Sequence, residues 1–315
     1  MKKLYPAAFW IMLVAQGLCL PSAQAGAWVR SKGSAYLKAE YGYYWASESY
    51  DQIGESASMS DERFVGKTTA AVFSEARYFK HDIKLFAEVG LGRGIEIIAA
   101  LPFTKPTNQW VFLDGDNPDL LQTNLGTGDL ELGMRYGGRL GRLPASIGFI
   151  WRAPLYNNDP SVLHLDAASQ DFYDVIPPLG QGTIDLDVTG AVGTGLPFLG
   201  GWTQAESGLR VRNRHYSAAI PGQLQVGLKP VSRLYLAVES RWLVTLKNGT
   251  APDYYYDENG KGPLIIDRQH RLQVAGQFGA RLWKAVWLTG HYGFVPWGRR
   301  TARGQWYGIG IAWDR

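Results

Sequence analysis

Cysteine is almost missing from this chain of 315 residues: Cys19 stands alone, inside an apolar amino-terminal stretch. A disulfide framework, a thiolate metal site and a cysteine nucleophile are thereby excluded for everything that follows it. Long apolar runs are lacking too. Beyond residue 25 nothing approaches the roughly 18 uncharged residues that a membrane-spanning helix needs, and no helical periodicity is sustained. Nor is there an excess of one charge: 32 Lys and Arg face 28 Asp and Glu, a formal net charge of +4. So small a surplus offers no footprint for nucleic acid.

Catalytic signatures are equally scarce. The sequence contains no GxSxG, no HExxH, no EF-hand pattern and no P-loop, and no histidine-x-serine-asparagine run of the kind used by outer-membrane phospholipases. His81, His164, His215, His270 and His291 are the available bases, but none has a nucleophile set beside it by a motif. The glycine-rich run Gly90-Leu91-Gly92-Arg93-Gly94 reads as a hairpin turn rather than a phosphate cradle. Asp114-Gly115-Asp116-Asn117 reads as a solvated turn rather than a calcium loop. The expectation is a protein that is not an enzyme and uses no cofactor or metal.

What the chain does have begins at its start. Lys2 and Lys3 precede the apolar run 7–20, and Ala23-Gln24-Ala25 supplies a small-x-small cleavage site, the form of a secretory signal peptide over residues 1–25. Leu18 before Cys19 is too large for a lipoprotein cleavage site. Cleavage would remove Lys2 and Lys3 with no acid alongside, lowering the formal charge from +4 to +2. The remainder, 26–315, is expected to form one domain. With 38 Gly, 12 Trp and 17 Tyr, but only 19% charged residues, it has the composition of strands that cross a membrane.

The pattern agrees. In Thr127-Gly-Asp-Leu-Glu-Leu-Gly-Met-Arg-Tyr136, Leu130, Leu132, Met134 and Tyr136 alternate with Asp129, Glu131, Gly133 and Arg135, so a strand here has one apolar and one charged face. Such alternation predicts twelve strands, at 33–46, 77–91, 94–103, 127–137, 145–153, 181–193, 202–214, 219–229, 233–246, 268–281, 285–295 and 303–313. Every second connection is tight (92–93, 138–144, 194–201, 230–232, 282–284). Those between are mostly long and polar (47–76, 104–126, 154–179, 245–267), with 213–218 and 296–302 shorter. Sorted loop lengths and an even strand count predict an all-β fold: a closed antiparallel transmembrane β-barrel with short periplasmic turns and long extracellular loops. The last strand sets Tyr307, Ile309, Ile311 and Trp313 on one face, like the signal read by the barrel-assembly machinery, although Asp314 and Arg315 follow it.

With the apolar face toward membrane lipid, the lumen would receive Lys38, Glu40, Lys84, Glu88, Asp129, Glu131, Arg135, Arg152, Gln181, Asp185, Asp187, Glu206, Arg210, Arg212, Glu239, Arg241, Arg271 and His291. Both signs are interleaved, which suits a wet path or a bracing charge network and not a pore biased to one sign. Tyr43, Tyr44, Trp45, Trp151, Trp242, Trp283, Trp287, Trp297, Trp306 and Trp313 lie toward strand ends and read as interfacial anchors. Tyr254, Tyr255 and Tyr256, in a long loop, are the aromatic surface best placed to meet a ligand or partner.

Residues 85–103 (LFAEVGLGRGIEIIAALPF), 125–136 (LGTGDLELGMRY), 179–186 (LGQGTIDL) and 299–304 resemble the outer-membrane family of transporters associated with the meta-pathway of phenol degradation. The resemblance implies a bacterial outer-membrane channel that passes small, often aromatic or hydrophobic, molecules, and brings no catalytic residues. Asp129, Glu131, Arg135, Gln181 and Asp185 fall in the matching segments. Beside it stand a structural or adaptor barrel with a plugged lumen and partner-binding loops, and, less favoured, a lipid-modifying enzyme acting through His291 or His215.

Overall fold

A computed structural model describes residues 27–61, 73–113, 119–156, 177, 179–197, 200–250 and 267–315. Twelve long strands make up most of it: β1 (Ala35–Ala46), β2 (Phe73–Gly92), β3 (Ile95–Phe112), β4 (Asp129–Leu140), β5 (Leu143–Pro154) and β6 (Asp185–Leu196) come first. They are followed by β7 (Gly201–Arg212), β8 (Ala219–Val231), β9 (Leu234–Thr245), β10 (His270–Trp283), β11 (Val286–Arg299) and β12 (Gln305–Asp314). Each pairs antiparallel with its neighbours in sequence, and β1 pairs with β12 from Tyr36↔Asp314 to Trp45↔Gln305, so the sheet closes on itself. Closure leaves no backbone edge to be solvated. No helix among the described residues is long and apolar enough to cross a membrane.

Alternation along the strands sorts the side chains. On β4, Leu132, Met134 and Tyr136 are exposed outward, while Arg135 is buried inside. Ile147, Phe149 and Trp151 on β5, and Tyr307, Ile309 and Ile311 on β12, continue an exposed apolar belt. Water would be a poor solvent for that belt, and hydrocarbon a good one.

At one end the connections are short. Arg93 and Gly94 join β2 to β3 with φ of 55° and 75°, the double left-handed pair of a two-residue hairpin, and glycine carries one of them without steric cost. At the other end β2 and β3 run 20 and 18 residues, well beyond the roughly 9 to 11 needed to span. The loop expected at 104–126 is therefore partly strand: β3 continues to Phe112 and pairs over 107–110 with Leu120–Thr123. Beyond the belt neither face has to be apolar, so Thr104, Lys105, Thr107, Asn108 and Gln109 extend the strand without an alternating signature. A small sheet of Glu48–Tyr50, Ser56–Ser58 and Thr301–Ala302 sits at the same end.

Ahead of β1 the chain turns into the barrel. Residues 27–30 run inside the short-turn end past three inward glycines on β2, β4 and β6. A β-carbon on Gly90 would lie 2.1 Å from the Ser31 carbonyl oxygen, on Gly137 2.6 Å from Val29, and on Gly193 2.5 Å from the Trp28 ring. This strap has no counterpart in the expected strand pattern.

Candidate functional site

The lumen holds three polar groupings stacked on an aromatic floor. At the short-turn end Tyr36, Trp287 and Ala312 are buried together, with Phe86 and Tyr235 against them. The Arg281 guanidinium lies 4.8 Å above the Trp287 ring. Trp287, expected as an interfacial anchor, is thus a floor residue at 7% exposure, while Tyr44 and Trp306 line the lumen. Their strand positions carry inward parity, and parity outweighs nearness to a strand end. Trp45, Trp151, Trp283 and Trp297 are exposed, as anchors would be.

The first grouping ties the strap down. Arg30 donates from Nη1 to Asp314 (2.9 Å) and from Nε to Glu88 (3.3 Å), and its backbone N–H donates to Glu96 (2.8 Å). Arg135 donates to the other Glu96 oxygen at 2.9 Å and approaches Glu88 at 3.8 Å. Arg30 and Glu96 were not among the expected lumen residues. Glu96 has the inward parity of β3 and could have been read from it, whereas Arg30 precedes the first strand, where alternation is silent.

Higher up, β4 to β7 present a continuous ion-pair wall. Arg152 bridges Glu131 (3.1 Å) and Asp187 (2.5 Å), and Arg210 grips Asp187 with two bonds of 2.8 and 3.0 Å. Asp185 lies 3.8 Å from Arg210 and 4.0 Å from Arg212. Such pairs need several partners each to offset the loss of water, and a fork of guanidinium donors on a carboxylate supplies them.

Adjoining this wall, from β7 to β10, runs an amide network. Gln225 accepts from Trp202 and Gln204 (both 3.1 Å), and Gln277 donates to Glu239 at 3.0 Å. Glu239 also pairs with Arg241, and Glu206 accepts a long 3.5 Å bond from Gln223. His291 sits 3.4 Å from Glu40, itself paired with Lys38. Beside the network lies a cavity of about 450 Å³ lined by Lys84, Asp82, Tyr44, Arg241, Gln273 and His291, among others. Small polar solutes or water can be solvated there without contacting the apolar belt.

Two expected lumen residues belong to the rim. Asp129 accepts from the Gln181 backbone N–H (2.9 Å) and the Tyr156 hydroxyl (3.0 Å), and Tyr156 accepts from Gly182 N–H (2.8 Å). Burial, then the Asp129 carboxylate, pushes the Tyr156 hydroxyl well above its ordinary range. Gln181 precedes β6, which starts at Asp185 rather than 181. The remaining expected lumen residues are inside the barrel. Tyr254, Tyr255, Tyr256, His164 and the Asp114–Asn117 turn fall outside the described residues. Of the other histidines, His81 contacts the Tyr41 hydroxyl at 2.7 Å, and His291 faces a carboxylate rather than a serine.

No family model matches the chain, and no curated protein matches it. Solved structures do. The translocator domain of autotransporter NalP from Neisseria meningitidis aligns over 98% of each chain, at 11% identity and a TM-score of 0.48. A Pseudomonas aeruginosa FadL homologue aligns over 90% of each, at 8% and 0.39. An outer-membrane channel from Pseudomonas putida F1 aligns over 94% of this chain and 100% of its own, at 12% identity and a TM-score of 0.64. At that identity the likeness is one of fold, and the fold is a closed, twelve-stranded antiparallel barrel of the outer-membrane kind.

Proposed function

We propose that this protein is an outer-membrane channel for small solutes, driven by their gradient and exported through a cleavable signal peptide over residues 1–25. The observation that carries the reading is the polar cavity of about 450 Å³ inside a closed barrel whose outer face is apolar. A bracing barrel needs a filled interior, whereas here the ion pairs and amides leave an open space lined largely by polar groups. The resemblance of 85–103 and 125–136 to the phenol meta-pathway transporters supports an aromatic cargo. The lining asks in addition that such a cargo carry polar groups. Membrane lipid, the solute and the barrel-assembly machinery are its partners in this scheme.

Purified protein in planar bilayers should conduct ions, and in liposomes it should admit small aromatic solutes. Silence in both, unchanged by Asp129→Ala and Arg135→Ala, would reject the channel. The strap favours a second reading, a barrel plugged at its short-turn end, whose loops engage surface partners. In that case shortening the loop at 253–261 would abolish the phenotype and leave permeability as it was.

A further inference from the structure

The short connections contain no carboxylate. None of 91–95, 137–145, 194–202, 229–234 and 282–286 holds an Asp or Glu, and neither does the segment 27–34 ahead of β1. Cations take those places instead. Lys32, Arg93, Arg139, Arg142, Arg233 and Lys284 are all exposed, and none forms an ion pair among the described residues. Glu88, Glu96 and Asp314, inside this end, already hold Arg30 and Arg135. At the long-loop end, by contrast, exposed cations have acids in reach: Arg303 lies 2.7 Å from Glu48, and Arg77 pairs with Glu75. The two ends of the barrel therefore differ in kind.

These six cations encircle the opening. Lys32 lays its stem against the β2–β3 turn, where a β-carbon on Gly92 would meet it at 3.1 Å, and Arg93 follows directly. The Gly137 N–H donates to the Gly94 carbonyl at 2.7 Å, which brings that turn against the end of β4 and sets Arg139 and Arg142 next around the rim. Arg233 stands in the β8–β9 turn and Lys284 in the β10–β11 turn, so only the β6–β7 turn has no cation. Exposed apolar side chains accompany them: Leu91, Leu140, Leu143, Val231 and Trp283. The Lys284 ammonium is 5.3 Å from the centre of the Trp283 ring. Arg93 and Lys284 also hold φ of 55° and 33°, left-handed conformations that Gly, Asn or Asp would adopt at less cost.

A protein docking from one side would meet only part of such a ring, whereas lipid surrounds a barrel and meets all of it. Long basic side chains lay their stems along apolar surface and carry the charge to the headgroups. A zwitterionic headgroup brings its own ammonium and gains little there; a headgroup of net negative charge gains with every cation. We infer that the short-turn cations form a binding surface for the phosphate groups of anionic phospholipid in the adjoining leaflet. The inference rests on the barrel standing in a bilayer and is independent of what its lumen passes.

The test mixes purified, detergent-solubilised barrel with equal amounts of phosphatidylglycerol, cardiolipin and phosphatidylethanolamine, and counts the retained lipid by native mass spectrometry. Both anionic lipids should be retained over phosphatidylethanolamine by about tenfold or more, and less so as ionic strength rises. Joint substitution Arg93→Gln, Arg139→Gln, Arg142→Gln, Arg233→Gln and Lys284→Gln should abolish the preference, and Arg299→Gln, at the opposite end, should leave it intact. A heat-modifiable gel shift verifies folding. Should the combined variant not fold, Arg139→Gln with Arg142→Gln is read in its place and should lower the preference severalfold. Equal retention of the three lipids, or a preference that neutralisation leaves unchanged, overturns the inference. So does retention of anionic cell-wall fragments instead of phospholipid through the same residues. Conductance is a separate measurement: a silent barrel that prefers anionic lipid through these cations keeps the ring and loses the channel, and a conducting barrel without the preference does the opposite.

Discussion

Replacing Arg30 with alanine should loosen the strap, and the size of the effect follows from its contacts. Arg30 pairs with Glu88 at 3.3 Å and Asp314 at 2.9 Å, in surroundings where its side chain is 3% exposed. Deleting one partner of a buried pair costs about 3 to 5 kcal/mol. The lower end applies, because Glu88 keeps Arg135 at 3.8 Å and Asp314 is 18% exposed, so water can take part of the load. About 3 kcal/mol, at roughly 1.4 kcal/mol per tenfold change, shifts the docked-to-released equilibrium of residues 27–30 by roughly a hundredfold. Chymotrypsin added on the short-turn side reads that population at Trp28, and planar bilayers read the conductance. Both should rise, and Arg30→Lys should recover most of the loss. Unchanged cleavage and conductance in a variant that still shows the heat-modifiable shift would refute the strap as a working closure.

Other consequences are open to measurement. Gly137→Val places bulk where a β-carbon is already 2.6 Å from Val29; overpacking of about 1 to 3 kcal/mol should expose Trp28 to cleavage, and Val29→Gly in the same chain should reverse it. Asp187→Asn should lower the urea midpoint far more than Glu206→Gln, because Asp187 holds two arginines and Glu206 one long amide bond; equal effects would contradict the ion-pair wall. Asp267→Ala should cost about 1 to 3 kcal/mol by leaving the buried Ser217 N–H without an acceptor, seen as a lower melting temperature. Phe149→Arg, in the middle of the outer belt, should cost about 2 to 4 kcal/mol in a bilayer, and Trp283→Arg near the strand end about 0 to 1; the reverse order would mean that the belt does not face lipid.

Much of the architecture could be read from residue order because its cause is local. Leu132, Met134 and Tyr136 must alternate with Glu131, Gly133 and Arg135 whatever the rest of the chain does, since successive strand residues face different solvents. The tight turn expected at 92–93 was legible for the same reason, and it forms one residue later, at Arg93-Gly94. Beyond the belt that reason lapses, and the upper halves of β2 and β3 pair through backbone bonds that any side chain permits. Short segments without a period carry no signal at all, and the strap is one. Among site residues, parity identified who faces inward but not who meets whom. Arg152 reaches Glu131, its register partner on one neighbour, but on the other it passes over its register partner Asp185 to bond Asp187, one inward position away. Trp287, Tyr44 and Trp306 were misassigned by weighing distance from the strand end above parity.

The seam between β1 and β12 also sets an order in time. Its first register pair joins Tyr36 to Asp314, so the earliest strand to be made stays without one neighbour until the last has been delivered. Contacts this distant along a chain form late and slowly. While the wait lasts, β1 offers a bare edge to any chaperone or foreign strand, and the gap beside it is a doorway into the future lumen. Residues 27–34, immediately ahead of β1, are tethered at that doorway. The same sequence adjacency that hides the strap from strand prediction thus delivers it to the interior before the wall shuts.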